Sequence, residues 1–171
     1  VRFENVTGDG FGERCMALFL STYINKVDKK GRVSVPAQFR SEIARQDYHG
    51  IIVFCSPKQP ALECFTREQM ELLSRRIDEF NLFSDEQDDL ASTILGASVP
   101  LAFDADGRIV LPKELAAYAK ITEEASFCGR GSTFQIWNPL ELKKAQEKSR
   151  SRVLSSKITI PKIPRERGET G

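Results

Sequence analysis

The chain of 171 residues holds a single histidine, His49, and four cysteines, Cys15, Cys55, Cys64 and Cys128, with no C-x-x-C pair among them. One imidazole and scattered thiols do not make a zinc quartet. No metal site is expected, and the cysteines read as buried or free thiols of a reducing cytosol. Neither a G-x-S-x-G elbow nor a P-loop is present, so an enzyme is not expected, nor a cofactor or small-molecule substrate. The acidic run Asp85-Glu86-Gln87-Asp88-Asp89 reads as a solvated helix N-terminus, where negative charge is welcome, rather than a metal site. No apolar run approaches the roughly eighteen residues of a membrane span. The beginning lacks the basic head, apolar stretch and cleavage site of a secretory leader, which points to a cytoplasmic protein. The formal net charge is only +1, so bulk charge predicts no polyanionic partner. Any nucleic-acid contact has to come from a local patch.

What the sequence does contain is a phrase written twice. Asp28-Lys-Lys-Gly-Arg-Val-Ser-Val-Pro36 and Asp104-Ala-Asp-Gly-Arg-Ile-Val-Leu-Pro112 share the form D-x-x-G-R-β-x-β-P at a constant offset of 76. The surroundings repeat as well. Each phrase follows a predicted strand, Thr22 to Val27 or Val99 to Phe103. A short helix comes next, Ala37 to Arg45 or Lys113 to Ala119. Two strands follow: Gly50 to Cys55 with Leu62 to Phe65, and Ala125 to Cys128 with Phe134 to Trp137. Each copy ends at a signed helix start: Thr66-Arg-Glu-Gln69, a capping box, and Asn138-Pro139. A second capping box, Ser84-Asp-Glu-Gln87, lies between the copies. The pattern of Leu72, Leu73, Ile77, Phe80, Leu90 and Ile94 predicts a helical pair joining them.

Within the phrase each position has a physical task. Asp28 can accept amides two residues on, and Gly31 can take a positive φ. Strand alternation sends Val33 and Val35 to one face and Arg32 and Ser34 to the other. Pro36 ends the ladder. The first copy is basic: Lys26 to Arg45 holds Lys26, Lys29, Lys30, Arg32, Arg40 and Arg45 against Asp28 and Glu42, a balance of +4. Asp104 to Lys120 balances to zero. A cationic concentration in a near-neutral protein is the footprint of phosphate contact. Arginine can also read guanine O6 and N7, while Lys29 and Lys30 suit phosphates. Beside Arg108, Asp104 and Asp106 offer a second reading, a salt bridge holding the guanidinium in place.

The segments divide as 1–15, an extension without periodicity; 16–69, first repeat; 70–97, helical connector; 98–150, second repeat and closing helix; and 151–171, a flexible tail with no core pattern. Met16 is the expected natural start.

The two phrases and the connector between them resemble the MraZ family of bacterial transcriptional regulators, whose repeat belongs to the AbrB/SpoVT swapped-hairpin class. The likeness covers about residues 16 to 150. It implies an α+β, β-rich fold in which two β-α-β-β repeats interleave into a pseudo-twofold, barrel-like core. It also implies assembly into a homo-oligomeric ring and binding to direct repeats of double-stranded DNA. Those repeats would lie in the promoter of the protein's own division and cell-wall gene cluster, usually for repression, which places the protein at the nucleoid. Carried onto this chain, the DNA-contacting positions are Lys29, Lys30, Gly31 and Arg32, with Arg108 matching by motif; Lys26 and Arg40 join them from the charge pattern. Two other readings stand beside this one: an oligomeric protein-binding scaffold, and an antitoxin-like regulator of the same fold.

Overall fold

Two hairpins, one from each repeat, meet side by side at the centre of a six-stranded antiparallel sheet. The structure, a computed structural model, describes residues 17–161. The expected extension 1–15, Met16 as a start, and the tail beyond Pro161 lie outside the described residues. The first repeat contributes β1 (Thr22–Lys26), β2 (Arg32–Ser34), α1 (Ala37–Ile43), β3 (Gly50–Cys55) and β4 (Ala61–Phe65). The connector holds α2 (Arg67–Asp78) and α3 (Asp85–Leu90), the latter continued by a π-helical stretch at Ala91–Gly96. The second repeat gives β5 (Val99–Ala102), β6 (Arg108–Val110), α4 (Lys113–Tyr118), β7 (Glu124–Gly129), β8 (Phe134–Trp137) and α5 (Pro139–Ser155). The predicted caps form. Thr66 accepts from the Gln69 amide, Ser84 from that of Gln87, and Asn138 from those of Leu140 and Glu141.

The sheet order is β1-β7-β8-β4-β3-β5, and β2 pairs with β6 in a separate ribbon. Exchanging each strand for its counterpart in the other repeat returns the same order read backwards. The first strand of each repeat therefore pairs with the third strand of the other, β1 with β7 and β5 with β3. Glu63 faces Gln135 where the hairpins meet. The expected barrel-like core does not form. Its closure would require β1 to pair with β5, and these are the two outer edges of an open sheet. One face of that sheet is covered instead by the β2–β6 ribbon, α1 and α4, whose apolar side chains supply the burial that closure would have given.

Strand alternation sorts the side chains. Ile51, Val53, Leu62, Cys64, Ala125, Phe127, Phe134 and Ile136 meet Val33, Val35, Phe39, Ile43, Ile109, Leu111 and Leu115 in one core. On the other face Ala61 and Trp137 receive Leu142 of α5, and Met70 and Ile77 of α2 are buried. The connector helices are thus only partly core: Phe80 is exposed, while Leu90 and Ile94 are half-buried. Helix α5 runs through Ser155, beyond residue 150 where the closing helix was expected to end. Its later turns are exposed on all sides, so they carry no buried stripe by which a sequence pattern could mark them.

Phe39 ties the repeats together. Its ring lies 5.2 Å from Phe19, 5.5 Å from Tyr23 and 4.9 Å from Phe134 of the second repeat. Replacing a buried aromatic by alanine removes its burial and leaves a void. Phe39→Ala should lower stability by about 3–5 kcal/mol in urea denaturation. A loss under 1 kcal/mol would mean that the repeats do not share one core.

Candidate nucleic-acid interface

The two repeated phrases fold into the same turn. In the first, Asp28 Oδ1 accepts from the amides of Lys30 and Arg32, each at 2.9 Å, and Oδ2 accepts from Arg32 Nε at 2.7 Å. In the second, Asp104 Oδ1 accepts from the amides of Asp106 and Arg108 at 2.9 Å, and Oδ2 from Arg108 Nε at 2.8 Å. Gly31 and Gly107 take positive φ, +78° and +71°. A Cβ at Gly31 would lie 3.0 Å from the carbonyl oxygen of Leu111, so backbone angle and space both select glycine there.

Strands β2 and β6 then pair antiparallel, Arg32 opposite Val110, Val33 opposite Ile109 and Ser34 opposite Arg108. The ladder is extended at its ends, where the Val35 amide donates to the Gly107 carbonyl at 3.1 Å and the Leu111 amide to the Gly31 carbonyl at 2.8 Å. Val33 and Ile109 point into the core, 1% and 0% exposed. Arg32, Ser34, Arg108 and Val110 therefore share the outer face, as the alternation predicts for Arg32 and Ser34. Arg32 and Arg108 are diagonal neighbours across the ladder, with Cα atoms about 7–8 Å apart. A two-stranded ribbon of this kind fits the DNA major groove.

The turns differ in what surrounds each arginine. Arg32 remains about one-third exposed at 35%, and its ion pair uses Nε. No second ion pair and no hydrogen bond from its Nη groups occurs among the described residues, so both Nη groups lack a partner there. Arg108 is held twice: Nε by Asp104 at 2.8 Å, and Nη2 by Asp106 Oδ2 at 2.7 Å. The salt-bridged alternative raised for Arg108 is thus what the structure contains. The Asp104 hydrogen bond first, and then the charges of Asp104, Asp106 and Asp28, hold the Arg108 guanidinium above its ordinary range.

Of the other expected site residues, Lys29 and Lys30 are exposed in the first turn, and Lys26 is exposed at the end of β1, in register with Glu124. Arg40 departs from expectation. Its Nε donates to the Val35 carbonyl at 3.1 Å, and its guanidinium lies over Gly107, in contact with the place a Cβ would occupy. Arg40 therefore belongs to the second turn, not to the first turn's cluster, because pairing β2 with β6 carries α1 toward the opposite end of the ribbon. Val110, which shares the outer face with Arg32 and Ser34, was not singled out in the sequence, since cross-strand register is not written in either strand alone. Among the described residues no group of side chains is suited to hold a metal ion, and no helix is long and apolar enough to cross a membrane. Cys64 is buried, with its thiol pushed well up by desolvation, and Cys55 and Cys128 are free and partly buried.

A family model described as "MraZ protein, putative antitoxin-like" matches residues 18–92 and 94–159, once for each repeat. The chain belongs to the MraZ family. The MraZ relatives cover most of it. One from Pelagibacter ubique is 43% identical over 143 residues, spanning 84% of this chain and 92% of that relative. One from Rickettsia akari is 40% identical over 129 residues, 75% of this chain and 87% of its own. One from Gluconobacter oxydans is 40% identical over 140 residues, 80% and 85%. Each bears the name "Transcriptional regulator MraZ", a regulator's name and not an enzyme's.

The hydrogen bonds of the MraZ turns have a pH signature. The Asp28 carboxyl lies below its ordinary value of 3.8, first because the Arg32 amide donates to it, then through the Arg32 side chain and the Lys30 amide; Asp104 is lowered in the same way by Arg108 and Asp106. A depressed carboxyl adds stability that is fully present above the unfolded value of about 3.9 and lost as pH falls through the lower folded value. NMR titration should place both midpoints below 3.8. Midpoints at or above it would show that the turns are not held by these bonds in solution.

Proposed function

We propose that this chain is a DNA-binding transcriptional regulator, a repressor of its own division and cell-wall gene cluster, that reads direct repeats in the promoter with its first turn. The observation that carries this reading is the geometry of Arg32: Nε anchored at 2.7 Å to Asp28, both Nη groups without a partner among the described residues, on the outer face of a ribbon of groove-fitting width. An arginine held this way has little rotamer freedom left to lose and still offers the paired donors that match guanine O6 and N7. Lys29, Lys30 and Lys26 stand where phosphates flank such a contact, and the Gly31 backbone can approach the duplex closely. The reversed strand order supports assigning the repeats to the swapped-hairpin class, since each repeat gives its first strand to the other.

One such patch makes few phosphate contacts, so its affinity is modest and salt-sensitive. Linking several copies in a ring against several repeats multiplies binding by roughly 10²–10⁴ when the spacing matches. The exposed side chains of Phe80, Leu82 and Phe83 support assembly of that kind. The relatives' names support the transcriptional role, and the protein would then work in the cytoplasm at the nucleoid.

The test is footprinting on DNA upstream of the chain's own gene at two salt concentrations, with gel-shift measurements on variants. Arg32→Ala should lose one bidentate contact per bound subunit, about 1–3 kcal/mol each, while keeping the wild-type oligomer. Lys29→Ala and Lys30→Ala should weaken binding across all sequences and reduce the salt slope by about one each. Undiminished binding by Arg32→Ala would overturn the reading.

A further inference from the structure

We infer that Asp106 switches off the second turn as a DNA-reading element and so makes each chain read DNA in one direction. The inference rests on the function proposed above and concerns which arginine does the reading.

The two turns are alike in every backbone hydrogen bond, in the aspartate that anchors the arginine and in the glycine's positive φ. They differ at the two positions between aspartate and glycine: Lys29 and Lys30 in the first, Ala105 and Asp106 in the second. The consequence falls on the guanidinium. Its five N–H donors are arranged as a fork, and pairing with a guanine uses two adjacent ones. Arg32 spends Nε on Asp28 and keeps both Nη groups for an outside partner. Arg108 spends Nε on Asp104 and one Nη2 bond on Asp106 at 2.7 Å, which sets a carboxylate against the Nη edge a base would need and leaves Nη1 as its one nitrogen without an acid partner among the described residues. Asp106 also puts a negative charge where the first turn has a positive one, at a side chain that is 69% exposed and would face phosphate.

Symmetry gives this arrangement a use. The strand order of the chain is unchanged by exchanging its repeats, and the two arginines sit on one face as diagonal neighbours. Two competent turns would present a twofold reading surface, and twofold surfaces select palindromic sites. With one turn closed the surface has a direction, and a directional reader suits direct repeats.

Gel-shift titrations test this on three duplexes: the footprinted promoter, a single footprinted unit, and that unit joined to its inverted copy. Thermal melts check that each variant is folded. Arg108→Ala in the wild-type background should change promoter affinity less than twofold, while Arg32→Ala reduces it at least tenfold. Asp106→Lys should strengthen binding to the inverted-copy duplex at least tenfold more than to the single unit, and adding Arg108→Ala should remove that gain. If Arg108→Ala alone weakens binding as much as Arg32→Ala does, the second turn already reads DNA and the inference fails, while the proposed function stands. The inference also fails if Asp106→Lys strengthens both duplexes equally and Arg108→Ala leaves the gain in place, because the added charge alone would then account for it. Wild-type protein that leaves the promoter duplex unshifted would overturn the function itself.

Discussion

Everything on the outer surface depends on two three-residue strands finding each other. Neither β2 nor β6 belongs to the large sheet, and a ribbon this short is not stable alone in water. It persists because Val33 and Ile109 are buried beneath it and because each glycine of the repeated turns gives its carbonyl to an amide of the other phrase, Gly107 to Val35 and Gly31 to Leu111. Each repeat thus completes the other's turn. The same reciprocity runs through the sheet, where the first strand of one repeat lies against the third of the other. A single repeat would expose both the underside of its ribbon strand and the edge of its hairpin. That is a physical reason for the phrase to occur twice, independent of any site.

The fold needs both turns, and its requirements are met by Asp, Gly and the apolar positions. The two residues between aspartate and glycine are free of those requirements: their side chains are largely exposed, and only the Lys30 and Asp106 amides enter the turn. Function can be written there without disturbing the core. In the first turn the two positions carry lysines; in the second, alanine and a carboxylate that closes on the neighbouring arginine. Arg40 follows the same logic from another element. Its counterpart in the second repeat is Ala116, so a guanidinium covers Gly107 and none covers Gly31, which leaves the first turn's glycine open on that side.

Much of this was legible because repetition and local chemistry are both carried in short windows. The offset of 76 located two copies, the aspartate and glycine specified the turn, alternation separated Arg32 from Val33, and the capping residues placed α2, α3 and α5. Other features could not be read that way. Whether β1 closes on β5 is decided by what covers the inner sheet face, and Phe39, Val33 and Leu111 do so only once the ribbon has formed. The side of the ribbon on which Arg40 lies depends on pairing register between residues 74–78 positions apart. The last turns of α5, from Ser149 onward, have no buried side chain, so no periodicity marks them.

Taken alone, the Asp28–Arg32 pair reads as a purely structural arginine, since a guanidinium bound to a carboxylate has part of its charge answered. The geometry argues otherwise. The pair is exposed to solvent on both sides, 35% and 40%, and exposed pairs of this kind contribute little to stability. Its main effect is on freedom: Nε is the donor nearest the backbone, and holding it at 2.7 Å limits the rotamers of the two Nη groups beyond it. A structural arginine would be expected to pair an outer nitrogen too, as Arg108 does at Nη2 through Asp106. The contrast between these two arginines, identical in backbone and in anchor, separates holding a side chain in place from using it up.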